Sequence, residues 1–204
     1  MTSKYPVRKH VRMGSFNYAQ AGYYFVTICT HNRREILGDI AKGKFSPTAA
    51  GKEARVSWLD LPAHHPAMHL DEFVIMPNHV HGIIVLEWDL TADTGSIPTN
   101  PRKAEVHPDQ GKPGPKRGSL GAIIGSYKAA VSRKLNWNSQ HNTPLWQRKF
   151  FDHVIRTDKA LLAIREYIVN NPLSWHYDEL NARRMKTASF YKYLPELEKP
   201  DALS

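Results

Sequence analysis

The stretch "VIMPNHVHGIIVL", residues 74 to 86, constrains this chain more than any other. Two apolar runs flank a Pro77-Asn78 pair, which reads as a strand, a turn and a second strand returning beside the first. Successive side chains in a strand alternate faces, so His79 and His81 point one way while Val80 points the other. Two imidazoles placed like this have the spacing of metal ligands, yet two ligands are fewer than a stable site needs. The pattern also fits two half-exposed histidines at a strand end, and the rest of the chain has to decide.

A coarse reading of the flanks supplies a scaffold. "GYYFVTICT", 22 to 30, is rich in β-branched and aromatic residues and reads as a strand, followed by a short hairpin around 36 to 45. Ser46 before Pro47 resembles an N-cap with proline at the first helical position, so a helix is expected from Pro47 to about Leu61. Residues 89 to 117 are dense in Pro, Gly, Asp and Thr without an apolar period and read as a flexible surface loop, an insertion rather than a domain boundary. Ser119 is expected to cap a helix through about Asn136, with Leu120, Ile123, Ile124, Tyr127, Val131 and Leu135 on one stripe. "FFDHVIRT", 150 to 157, reads as a strand; Asp158 is then expected to cap a helix over 159 to 171 that Pro172 stops. The order strand, helix, two strands, helix, strand, helix predicts an α+β fold: a ferredoxin-like antiparallel sheet covered by helices. With 204 residues and 41% hydrophobic content there is chain enough for one core. The expected layout is a single domain over residues 1 to 180 and a less regular tail over 181 to 204.

Charge narrows the partner. The net charge is +9, and acidic residues are absent both from Met1 to Arg34 and from Gly111 to Phe151. The first window carries Arg8, Lys9 and Arg12; the second carries Lys128, Arg133, Lys134, Arg148 and Lys149 interleaved with Tyr127, Trp137, Trp146, Phe150 and Phe151. Cations among aromatics suit a polyanion whose phosphates meet the charges and whose unpaired bases stack on rings, so nucleic acid is the favoured partner and these eight basic residues the candidate contacts. A solvated basic face is the alternative. No apolar run is long enough to span a bilayer and no amphipathic basic helix marks either end, which argues against a membrane partner. The basic N-terminus lacks the apolar stretch of a secretion signal, and the lone Cys29 cannot form an internal disulfide; both fit the cytoplasm, with nucleic-acid binding placing the protein at the nucleoid.

The helix over 159 to 171 bears on the histidines. Leu161, Ile164 and Ile168 form its core stripe, while Tyr167 and Asn171, four apart, share the flank. At this point four segments carry a resemblance: "FVIMPNHVHGIIVL", "AGYYFVTICTHNRREILG", "GSLGAIIGSYKAAVSRKLN" and "LWQRKFFDHVIRTDKALLAIREYIVNNPLSW". Together they are similar to the REP-associated tyrosine transposases, relatives of the IS200/IS605-type Y1 transposases, over most of residues 5 to 180. The resemblance implies an HUH single-strand endonuclease fold in which His79 and His81 are metal ligands, Tyr167 is the nucleophile on single-stranded DNA and Asn171 completes the metal site. Asn171 is a weaker ligand than a carboxylate, so the third position stays open. The implied cofactor is a divalent ion, Mg²⁺ or Mn²⁺, and the implied partner is single-stranded or hairpin DNA.

The chemistry binds these residue types together. A phosphodiester's anionic oxygens repel nucleophiles, and a divalent cation held by neutral imidazoles offsets that charge. By resemblance, a tyrosine that takes the 5′ phosphate leaves a free 3′ hydroxyl able to reverse the step, so DNA is cut and rejoined beside hairpins of repetitive extragenic palindromes. A hairpin-binding protein without catalysis is the alternative. A phosphoesterase with paired His-x-Thr or His-x-Ser motifs is a third reading, but only His141-Asn142-Thr143 has that form. Monomer and homodimer are both compatible with the sequence.

Overall fold

Strand β1 (Gly22–Cys29) is the apolar run that opens the fold, and its alternating side chains divide the hydrophobic core in two. The computed structural model describes residues 21–87, 115, 118–185 and 189–199. After β1 come a small hairpin of β2 (Gly38–Ala41) and β3 (Lys44–Pro47), helix α1 (Ala49–Leu59), the short helix α2 (Leu61–His64), and the long hairpin of β4 (Met68–Met76) and β5 (His79–Leu86). Helix α3 (Leu120–Lys134), the single turn α4 (Trp137–Gln140), strand β6 (Phe151–Ile155), helix α5 (Asp158–Asn170) and helix α6 (Phe190–Leu197) complete it. Apart from Pro115, residues 89 to 117, expected as a loop, lie outside the described residues.

The main sheet has the order β4-β5-β1-β6 with every neighbouring pair antiparallel. With α1 linking β1 to β4 and α3 preceding β6, this is the split βαβ arrangement that the element order predicts. Tyr24, Val26 and Ile28 of β1, with Val80 and Ile84 of β5, face α1 and α3 and join Trp58, Ile123, Ile124, Tyr127 and Val131 in the larger core. Trp58 and Tyr127 meet edge to face at 5.2 Å, and the Tyr127 hydroxyl donates to Ala54 O at 3.1 Å. Phe25 and Ile83 face the other way, onto Ala160, Ile164 and Ile168 of α5 and Leu194 of α6. Each such side chain removed from water stabilises the fold by roughly 1.5–3 kcal/mol before conformational entropy is charged against it.

Local chemistry explains where the boundaries differ from expectation. Ser46 and Pro47 do not begin a helix: they pair with Asp39 and Gly38 across the small hairpin, whose two-residue turn needs the positive φ of Lys42 and Gly43 (51° and 73°). The cap of α1 is Thr48, whose hydroxyl accepts from Gly51 N at 3.2 Å. Ser119 caps α3 as expected, accepting from Ala122 N. Asp158 lies inside α5, which is capped by Thr157 accepting from Ala160 N at 3.1 Å; an acidic residue in that first turn still suits the helix dipole. The tail read as irregular contains α6, which buries Leu194 and packs Phe190, Tyr191 and Leu197 against the second core.

Two features set α5 over the sheet. Strand β4 shifts register between Leu70 and Phe73, a bulge that includes Asp71. Asp71 then receives both arms of the Arg165 guanidinium, Nε to Oδ1 at 2.9 Å and Nη2 to Oδ2 at 2.6 Å, an interaction that holds its carboxyl below the usual aspartate range. Because Arg165 precedes Tyr167 by two positions, this fork ties down the turn of α5 that carries the tyrosine.

Candidate metal and nucleophile site

His79 and His81 open β5, paired with Cys29 and Thr27 on one side and with Met76 and Val74 on the other. Both are on the α5 face, both are fully buried, and their ring centres are 4.3 Å apart. Each turns its Nδ1 toward the protein: His79 Nδ1 meets Asn78 Oδ1 at 2.7 Å, and His81 Nδ1 meets Thr27 Oγ1 at 3.0 Å. The Nε2 atoms face a shared space. His79 Nε2 is buried without a hydrogen-bond partner and lies 3.9 Å from Asp178 Oδ2, while His81 Nε2 is 3.4 Å from the Tyr167 hydroxyl.

Burial decides the charge state of the pair. Desolvation, with a smaller contribution from the Arg33 cation, takes His79 down to about 3. Desolvation and the neighbouring His79 hold His81 well below its ordinary value, against an upward pull from the Asp178 carboxylate and the Val26 backbone. Both imidazoles are therefore neutral at neutral pH, which is the form that donates a lone pair to a metal.

Asp178 is the member of the site that the sequence reading did not single out. It ends the short 3₁₀ turn Trp175–Tyr177, is 6% exposed, and brings a ligand atom within 4.8 Å of those of both histidines. Leu180 N donates to its Oδ1 at 2.6 Å, and Asn171 Nδ2 donates to its Oδ2 at 3.1 Å. Asn171, expected as the third ligand, thus stands against the carboxylate, and its own Oδ1 is buried without a hydrogen-bond partner. Two neutral imidazoles, a carboxylate and an unsatisfied amide oxygen are a donor set that fits a divalent cation, and the orphaned buried Nε2 and Oδ1 atoms are the observation in its favour.

Tyr167 is half-buried on α5, its ring stacked on Phe190 at 3.9 Å and edge-on to Phe25 at 6.2 Å. A cavity of about 150 Å³ lined by Tyr167, Asn171, Ser174, Asp178 and Phe190 adjoins the site. Beneath it the Tyr191 hydroxyl is 3.0 Å from Thr27 Oγ1, which in turn meets His81.

The basic candidates fall into three groups. Arg8, Lys9 and Arg12 lie outside the described residues. Arg133, Arg148 and Lys149 are exposed, and Arg133, Arg148 and Trp146 line a groove of about 700 Å³ between α3 and the segment that leads into β6. That segment follows the end of β1, with Gln147 N donating to Cys29 O at 2.9 Å, and so runs beside the histidine strand's neighbour. Lys128 and Lys134 are engaged within the protein. Lys128 Nζ donates to the carbonyls of Gln147 (2.9 Å), Lys149 (3.2 Å) and Arg148 (3.4 Å), which shapes the basic segment, and Lys134 pairs with Glu53 at 3.2 Å.

No protein-family model matches the chain. An uncharacterised protein of Haemophilus influenzae is 34% identical over 187 residues, spanning 88% of this chain and 98% of the relative. Among solved structures, that of a REP-associated tyrosine transposase bound to a REP hairpin overlays with a TM-score of 0.51 at 17% identity, covering 85% of this chain and 74% of that one. The second likeness is one of fold.

Proposed function

We propose that this chain, which belongs to one family with the Haemophilus influenzae protein and shares the fold of a REP-associated tyrosine transposase, is a metal-dependent single-strand DNA endonuclease and strand transferase. It would act beside DNA hairpins of repetitive extragenic palindromes and conserve the cut bond as a 5′-phosphotyrosine. The observation that carries this reading is the Tyr167 hydroxyl at 3.4 Å from His81 Nε2, over the space shared by His79 and Asp178.

His79, His81 and Asp178 would hold the divalent ion, with Asn171 Oδ1 as a further donor; Mn²⁺ or Mg²⁺ suits such a mixed nitrogen and oxygen set. When bound, the ion supplies positive charge that offsets the anionic oxygens of a phosphodiester and orients the phosphate. Tyr167 Oη then forms the new bond to phosphorus as the bond to the 3′ oxygen breaks, and that oxygen departs as a hydroxyl after taking up a proton. The phenolic proton passes to water. Phe190, stacked on the ring, and Phe25, at its edge, limit the swing of Tyr167 so that its hydroxyl keeps its aim. The reverse reaction needs only a 3′ hydroxyl, from the same strand or another, so cutting and joining proceed without nucleotide hydrolysis. Exposed Arg133, Arg148 and Lys149 would meet phosphates, with Lys128 holding the backbone from which two of them project. Such a protein would reside with the nucleoid in the cytoplasm; among the described residues no helix is long and apolar enough to cross a membrane.

The test is cleavage of a single-stranded oligonucleotide bearing a hairpin taken from the DNA flanking the coding region. Wild type with Mn²⁺ is expected to cut beside the hairpin, and His81→Ala, or chelator, to slow cutting at least a hundredfold while hairpin binding persists. Cutting at the wild-type rate by His81→Ala in chelator would reject the metal-dependent reading.

A further inference from the structure

The contact between His79 Nδ1 and Asn78 Oδ1, at 2.7 Å, does not by itself reveal which atom donates, because either imidazole nitrogen can carry the proton and an amide can be turned over. The far end of the same amide decides it. Asn78 Nδ2 is 2.8 Å from Leu180 O and 3.2 Å from Arg33 O. Carbonyl oxygens only accept, so the atom facing them is the NH₂ group and the atom facing His79 is the amide oxygen. That oxygen also only accepts, so the proton of neutral His79 is on Nδ1 and its lone pair is on Nε2. Asn78 is 1% exposed and its own carbonyl is held by Thr30 N at 2.9 Å and Thr30 Oγ1 at 3.1 Å, so the amide is fixed on every side.

We infer that Asn78 is a positioning residue with two tasks: it locks His79 in the Nδ1–H tautomer, aiming the Nε2 lone pair into the space before Asp178, and it clamps the segment that carries Asp178 onto the start of β5. The second task rests on Leu180, which gives its N–H to Asp178 Oδ1 at 2.6 Å and its carbonyl to Asn78 Nδ2. One amide thus fixes both the ring and the carboxylate, the kind of outer support that tunes a metal ligand's direction and basicity. His81 differs. Its Nδ1 meets the Thr27 hydroxyl, which can donate or accept, so that contact does not by itself dictate a tautomer.

The use of this device rests on the metal reading above; the tautomer itself does not. Long-range ¹H–¹⁵N correlation spectra of the ¹⁵N-labelled, metal-free full chain at pH 7.5 distinguish a protonated Nδ1 from a protonated Nε2. Wild type is expected to give a single Nδ1–H form at His79, and an Nε2–H form or an exchanging mixture there would overturn the inference without any variant. Asn78→Ala is expected to yield a mixture of tautomers and to weaken Mn²⁺ binding, followed by calorimetry, by roughly 10–100-fold. Asn78→Asp keeps an acceptor for His79 Nδ1 but loses both donors, so it should retain the tautomer and still weaken Mn²⁺ binding through the Asp178 segment. An alanine variant with the wild-type tautomer and affinity would refute the assignment. A wild type that has the Nδ1–H form but binds no Mn²⁺ would sink the metal reading and leave the tautomer assignment standing.

Discussion

Acidification should unfold this protein by way of its buried histidines, over a pH range in which carboxylates are still ionised. In the unfolded chain His79 titrates near 6.5, whereas burial and Arg33 place it at about 3 in the fold. The folded state therefore binds fewer protons, and the stability associated with a neutral His79 is present in full above about pH 6.5 and is lost progressively as pH falls toward 3. Working the linkage between pH 7 and pH 5 gives a loss of about 2 kcal/mol from His79 alone. His81, also held well below its ordinary value, adds in the same direction. Asp71, whose carboxyl is held down by Arg165, gives up its contribution only below the ordinary aspartate range and does not interfere.

Urea denaturation in the presence of chelator, followed by tryptophan fluorescence at pH 7, 6 and 5, measures this directly. With a denaturant slope of about 2 kcal/mol per molar for a chain of this size, the midpoint should fall by about 1 M or more between pH 7 and pH 5. His79→Gln cannot titrate at that position and should flatten the dependence. A midpoint unchanged by acidification, or a wild-type dependence that survives the glutamine substitution in full, would refute the burial of both imidazoles in neutral form.

Other expectations follow from individual interactions. Gly82→Ala would drive a methyl group into Trp58 Cζ2 on the α1 face of the sheet and should cost about 1–3 kcal/mol in the same denaturation assay. Tyr127→Phe removes the hydroxyl that donates to Ala54 O and should cost about 1 kcal/mol while leaving DNA cleavage intact, since that ring is on the far side of the sheet from the histidines. Replacing Arg148 and Lys149 by alanine should reduce the dependence of hairpin affinity on salt by about 0.7–0.9 log units per log unit of salt for each phosphate that the variant no longer neutralises. Lys134→Ala should change that slope little, because its ammonium is engaged by Glu53; fluorescence anisotropy at several salt concentrations checks both.

The main sheet was legible because its strands are written in local patterns: β-branched and aromatic enrichment in "GYYFVTIC", a turn between the two halves of "VIMPNHVHGIIVL", and stripes of apolar residues on α3 and α5, which the structure packs on opposite faces of the sheet. The start of α1 was not, because Ser46-Pro47 satisfies a capping pattern that the hairpin pairing of those residues overrides. Helix α6 was obscured by Pro195, which breaks the look of a helix although Phe190, Tyr191, Leu194 and Leu197 keep an apolar period. At the site, His79, His81, Tyr167 and Asn171 have recognisable spacings within single elements. Asp178 has none: it meets the histidines only because a turn after α5 folds back onto β5, and its nearest local signal is an acid soon after Asn171 in an otherwise aromatic stretch. Asn78 was visible only as a turn residue, since its two carbonyl partners come from segments distant in the chain.

The central claim is that Tyr167 forms a covalent bond to DNA, and peptide mapping of the trapped adduct tests it most directly. Wild-type protein would be incubated with Mn²⁺ and a labelled single strand carrying a flanking hairpin, the shifted species isolated on a denaturing gel, and its tryptic peptides identified by mass spectrometry. The account predicts a 5′-phosphodeoxynucleotide on Tyr167 and no shifted species from Tyr167→Phe, a substitution that removes only the hydroxyl and keeps the stack on Phe190. An adduct mapped to another residue, or formed in undiminished yield by Tyr167→Phe, would contradict it.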